Sequence, residues 1–163
     1  LATALQEAGF ATMTLNLLTR HESARDPDAG FNVSRLAQRL LAALEWVGHH
    51  PPLASLPIGL VAGGTACAAL VRAGVALPER IAALVCIGGR ADLAGAAPLR
   101  TLSVPARVIV NPADPQAAIA ERAFALIPKA SGNWLDVTGD DERQTASATV
   151  QWLTARVPVP DGA

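Results

Sequence analysis

The chain has 163 residues, 51% of them hydrophobic and only 17% charged, with a net charge of -1. That length suits one domain large enough to bury a sizeable core. No basic stripe offers itself to nucleic acid, and apolar runs broken by Gly, Pro or Arg leave nothing that would span a membrane. Cys67 and Cys86 lie inside apolar segments and read as reduced core thiols of a cytoplasmic protein rather than as a disulfide.

Leu1 to Gly9 reads as a helix already under way, with Leu1, Leu5 and Ala8 on one face and Gly9 as its stop. It has neither a charged leader nor a cleavage site, so it is no signal peptide, and the chain is expected to begin in mid-domain. Phe10 to Leu18, rich in Thr and Leu, is predicted as a strand. The polar stretch from Thr19 to Asn32 is a loop. Ser34 is placed to cap a helix whose Leu36, Leu40, Leu44 and Val47 recur every three or four residues, ending at Gly48. Pro51 and Pro52 then break the chain.

Pro57 to Ala62 is a predicted strand, and Thr65 to Ala73 a helix stopped by Gly74. Ile81 to Ile87 is continuously apolar, as a parallel strand buried on both faces requires. Gly88 and Gly89 end it, and Ala91 to Pro105 is irregular or briefly helical. Strands follow at Ala106–Val110 and Asn133–Val137, with helices over Gln116–Ile127 and Glu142–Arg156, the last burying Ala146, Val150 and Leu153. This alternation implies one α/β domain over residues 1–157, a mostly parallel sheet with helices on both faces. Residues 158–163 are expected to be a frayed tail. No repeat or low-complexity segment interrupts it.

The segment from Pro57 to Leu70 carries the most chemistry. A buried strand runs into Ala62-Gly63-Gly64-Thr65-Ala66 and then into a helix, the shape of a nucleophile elbow, whose flanks must be small because the backbone is crowded. Three local patterns resemble the α/β-hydrolase superfamily, near its dienelactone-hydrolase-like branch. They are Leu1 to Thr19 with its end Asn16-Leu17-Leu18-Thr19, Leu56-Pro57-Ile58-Gly59 leading into the elbow, and Gly88-Gly89-Arg90-Ala91-Asp92-Leu93. The resemblance runs from Leu1 to about Val157.

It implies a triad in the chain order Ser, acid, His, in which serine attacks an ester carbonyl, histidine takes its proton and the acid orients the imidazole. In this register Gly64 stands at the serine position, Asp114 at the acid and Glu142 at the histidine. It also implies earlier strands, the last of which lies mid-sheet and leads into a loop that gives one oxyanion donor. No such segment is recognised in these residues, so the sequence is a fragment, another chain supplies the strand, or the sheet closes without it. A partner chain, self-association or a reorganised sheet is therefore expected, because an open apolar edge invites aggregation.

Other residues compete for these roles. Thr65 is a substitute nucleophile or a helix cap, and Cys67 a nucleophile or a core thiol. His21 follows the end of a strand, the edge where open α/β sheets bind ligands, and is either a base or a surface residue. His49 and His50 complement the negative end of a helix on the opposite edge. Asp114, Asp140, Asp141 and Glu142 converge on a hard cation or, as Asp141 and Gln144 suggest, cap the last helix. No Cys/His spacing suits zinc, and neither metal nor cofactor is expected. Gly63, Gly64 and Thr65 leave N–H groups at a helix N-terminus, an anion site for a small ligand.

Three readings of function follow. One is a hydrolase-fold domain without catalysis, kept for binding or assembly. Another is an ester, lactone or thioester hydrolase using Thr65 or residues of another chain. The third is an anion- or nucleotide-binding module.

Overall fold

The computed structural model describes residues 1–137 and 141–158. A short helix, α1 (Ala2–Glu7), and a second, α2 (Arg20–Arg25), precede the long α3 (Val33–Gly48) and the single turn α4 (Pro51–Ala54). Strand β1 (Ile58–Gly63) leads into α5 (Ala66–Ala76), then β2 (Ile81–Ile87), α6 (Ala96–Thr101) and β3 (Ala106–Val110). Helix α7 (Ala117–Phe124), β4 (Gly132–Asp136) and α8 (Glu142–Thr154) complete the order. Among the described residues no helix is long and apolar enough to cross a membrane.

The four strands are parallel and lie in chain order, β1-β2-β3-β4. Successive side chains of a strand face opposite ways, so each buried strand feeds two cores. Leu84, Cys86, Val108 and Val110 join the larger core, with Leu36, Leu40 and Leu44 of α3 and most of α5. Ala83, Val85 and Ile109 point the other way, to Leu5 of α1 and to Ala148, Trp152 and Leu153 of α8. Helices therefore cover both faces, as the sequence implies.

Several expectations change. Thr19 to Asn32 is not a plain loop but holds α2 and a 3-10 turn at Ala29–Phe31. Phe10 to Leu18 forms no strand. A strand exists only by its ladder, and residues 11–18 share no backbone hydrogen bond with any described residue. Ser34 is not the cap of α3. Asn32 takes the Arg35 N–H at 3.1 Å, while the Ser34 hydroxyl accepts Arg72 Nη1 at 2.9 Å. Gly74 does not stop α5 but lies buried inside it, where a Cβ would meet Leu84 and Leu102 methyls at 3.0 Å. It lets the helix approach the sheet closely. Finally, α8 buries Ala148, Thr149, Trp152 and Leu153, leaving Ala146 and Val150 half-buried. Of the expected tail, only Pro158 lies within the described residues.

Trp152 fastens α8 to the sheet. Its Nε1 donates to the Leu84 carbonyl at 3.1 Å, and the guanidiniums of Arg156 and Arg107 stand 3.2 and 4.7 Å from its ring centroid. Arg107 is fixed from β3 by bonds to Asn133 Oδ1 and the Ala148 carbonyl. Burial, and then the like charge of Arg156, lower the pKa of Arg107. Trp152→Phe keeps an aromatic ring but loses the indole donor and part of the buried volume, so it should cost at least about 1–3 kcal/mol in urea unfolding.

Candidate functional site at the β1–α5 turn

All four strands end at the same edge of the sheet, and the sharpest turn there joins β1 to α5. Gly64, at its apex, has φ +59, a left-handed conformation that side-chain-bearing residues rarely adopt. Gly63 and Gly64 are exposed, and a Cβ on Gly64 would find nothing within 4 Å. The apex is open to solvent and free of side chains.

The turn after β2 braces it from below. Gly88 and Gly89 have φ +58 and +82, and the Arg90 N–H donates to the Gly64 carbonyl at 3.0 Å. The two backbones are so close that a Cβ on Gly89 would lie 2.5 Å from that carbonyl oxygen. Cys67 fits beneath, its thiol donating to the Ala62 and Gly88 carbonyls at 3.4 and 3.6 Å. Arg90 and Asp92 close the turn with a two-bonded ion pair, both bonds at 2.8 Å. That pairing leaves the arginine partly committed.

Thr65 occupies the capping position of α5 but receives no N–H from the helix, contrary to the expectation of a cap. Its backbone, φ -70 and ψ -18, is already helical, whereas a capping side chain needs an extended residue to swing back over the first turn. Its hydroxyl has no hydrogen-bond partner among the described residues and lies beside Gly30. The N–H groups of Thr65 and Ala66 likewise have no protein acceptor among them. Cys67 is fully buried, and the adjoining Cys67 thiol, then burial, push the Cys86 thiol well up. Both cysteines are free core thiols, as the sequence suggests.

Topology brings Asp114 and Glu142 to this same edge, one after β3 and one at the start of α8. Neither bonds to the turn. Asp114 Oδ1 accepts the Gln116 N–H at 2.7 Å, an ordinary turn-forming contact. Glu142 is exposed, next to Asp141, whose carboxylate caps α8 by accepting the Arg143 and Gln144 N–H groups at 3.0 Å. Asp140 lies outside the described residues. Among those residues no three of His, Cys, Asp and Glu gather as a metal site would require.

The histidines stand elsewhere. His49 and His50 bond the carbonyls of Glu45 and Trp46 at 2.8 Å, at the C-terminal end of α3, and their segment leads toward the start of β1 rather than its end. His21 belongs to a helix rather than the expected loop, 3.4 Å from Arg25. A shallow hollow beside Leu1, Asp141, Glu142 and Arg143 borders the strand-end edge, and another lies at the strand starts among Pro57, Arg80, Ile81 and Pro105. Neither includes Gly64.

One arrangement escaped the sequence reading. Thr19 and Glu22 form a reciprocal capping box, and Arg39 of α3 grips both oxygens of Glu22 while donating to the Leu17 carbonyl at 2.8 Å. The spacing Thr19-x-x-Glu22 was its visible sign.

No family model matches the chain. Two proteins of Mycobacterium tuberculosis, strains CDC 1551 and H37Rv, are each 35% identical to it over 128 residues and carry the name "Putative phosphoribosyl transferase". The matched stretch is 78% of this chain but only 28% of theirs. The crystal structure of dienelactone hydrolase from Anabaena variabilis superposes with a TM-score of 0.88 at 28% identity, over 96% of this chain and 77% of that one. A predicted CIB-like hydrolase from Thermoplasma acidophilum shares the fold alone, with a TM-score of 0.60 at 9% identity over 77% of this chain and 61% of its own.

Two glycines of the turn should respond differently to alanine. Gly64→Ala meets open space and should cost about 1–2 kcal/mol for its left-handed backbone. Gly89→Ala drives a Cβ into backbone and should cost more than that, with denaturation curves giving the difference. The Glu22 carboxyl is held well below the usual carboxylate range, chiefly by Arg39 and then by Thr19. A lowered pKa stabilises above the unfolded value and is lost as pH falls, so protection of the residue 19–25 amides should decline below about pH 4.3. Glu22→Gln should lack that acid-dependent loss and start from weaker protection.

Proposed function

The chain has the α/β-hydrolase fold, in the form dienelactone hydrolase takes, and from that premise we propose a domain that has lost its hydrolytic centre and serves binding or assembly. The observation that carries this reading is Gly64, a left-handed, exposed glycine where the fold presents its nucleophile. Asp114 is engaged by the Gln116 amide, and Glu142 is an acid where a base is needed. Members of a triad act as a unit, so a lone carboxylate retains little of its effect. The buried free thiols suit a reducing, cytoplasmic setting.

Thr65 is the remaining candidate nucleophile, with an unbonded hydroxyl at the right turn. Among the described residues no base reaches it, and none of the three histidines hydrogen-bonds to it. The purified chain should not turn over activated acyl esters or lactones beyond its Thr65→Ala variant, and a fluorophosphonate should not label it. Turnover that disappears in Thr65→Ala would make it a threonine hydrolase instead.

A second reading draws on the N–H groups of the half-buried Thr65 and Ala66, which have no acceptor among the described residues and sit beside the exposed Gly63 and Gly64 at the N-terminus of α5. They suit a small phosphate or carboxylate ligand. The name of the mycobacterial relatives is in keeping with a phosphate ligand, although the shared stretch is 28% of those proteins.

A further inference from the structure

Two guanidiniums meet on one indole at the edge of the sheet where the strands begin, away from Gly64. Arg107 is the second residue of β3, opposite Asn133 of β4, and its bond to the Ala148 carbonyl puts its side chain on the α8 face. Arg156 stands just past α8, which starts beyond the end of β4 and runs back along the sheet. Both side chains reach Trp152, which is buried, with Arg156 the nearer to its ring. The cover on that indole is thus made of two like charges.

Neither cation has a counter-charge among the described residues. The ion pairs there join Arg35 and Arg39 to Glu22 and Arg90 to Asp92. The repulsion is felt at Arg107, whose pKa is lowered by Arg156 after burial. Donors are left over as well. Arg107 spends Nε on Asn133 Oδ1 at 2.8 Å and Nη1 on the Ala148 carbonyl at 2.9 Å, which fixes the plane of its guanidinium and leaves Nη2 without an acceptor among those residues. The Arg156 guanidinium, seated on the ring, donates to none of them. One fork is therefore held in place while the other stands at the exposed surface.

We propose that Arg107 and Arg156 together bind a dianionic phosphoryl group, as free phosphate or as the end of a small phosphomonoester, beside Trp152. A guanidinium fork matches two oxygens of a phosphoryl group, and bonds between ionised partners are the stronger kind. Two cations balance a dianion, whereas a carboxylate would neutralise only one of them. Arg107 is half-buried and Arg156 exposed, so the anion enters from solvent and the rest of an ester stays outside. Asn133 acts as a positioning residue, because its hold on Nε orients the Arg107 fork. This site lies at the opposite edge from the Gly63–Ala66 turn and is independent of either reading of that turn.

The test titrates the purified chain with sodium phosphate at pH 7 and constant ionic strength, following the Arg107 Nε–H and the Trp152 indole N–H by NMR. Both signals should shift and saturate together in the low millimolar range. Glycerol 3-phosphate distinguishes the two sources: saturation below the phosphate concentration assigns an ester, and saturation at or above it assigns free phosphate. Sodium acetate should need at least about tenfold more than phosphate. Arg156→Gln should weaken phosphate by at least about tenfold, and Arg156→Lys should recover part of that loss. The Trp152 indole signal shows in each variant that α8 is still docked, and Arg107→Lys gives a second reading from the other fork. Shifts that never saturate overturn the proposal, as does acetate saturating where phosphate does. So do an affinity unchanged in Arg156→Gln and shifts confined to the amides of residues 63–66, which would assign phosphate to the turn instead.

Discussion

The contact on which this edge of the molecule depends is the seating of one glycine turn upon another. The Gly64 carbonyl takes the Arg90 N–H, and Gly89 comes so near that no side chain fits between them. Cys67 ties the same two turns together from inside the core. These bonds involve backbone and a buried thiol, and none needs a side chain at the apex. The elbow is thus a structural joint between β1, α5 and the end of β2, and its shape is independent of any reaction performed on it.

On the proposed reading, that independence lets an elbow-shaped turn persist without a nucleophile at its apex. Asp114 and Glu142 stand at the right edge because the strands before them run parallel and end together. Each has local employment: Asp114 in its turn and Glu142 in the acidic first turn of α8, where the helix dipole favours a negative charge. Position follows from the fold, whereas chemistry depends on which side chain occupies it.

Much of the fold was legible because buried parallel strands write themselves as apolar runs. Ile81–Ile87 and Ala106–Val110 match their predicted bounds to the residue. The glycines after β2 announced its end, and the elbow was readable from its run of small residues. Phe10–Leu18 was misread because composition reports what a segment is suited to, while a ladder depends on a neighbour that local sequence cannot reveal. Gly74 deceived for a related reason: glycine inside a helix reads as a stop unless the close approach of Leu84 and Leu102 is known. Thr65 had the right residue type for a cap and the wrong backbone. The Arg39 clamp on Glu22 joins residues distant in sequence, so only its capping half could be seen beforehand.

The fit of Gly74 against Leu84 and Leu102 also bears on how this sequence can vary. A Cβ at 74 would meet both methyls at 3.0 Å, so a larger residue there becomes tolerable only beside a smaller one at 84 or 102. The three positions would drift as one character rather than three.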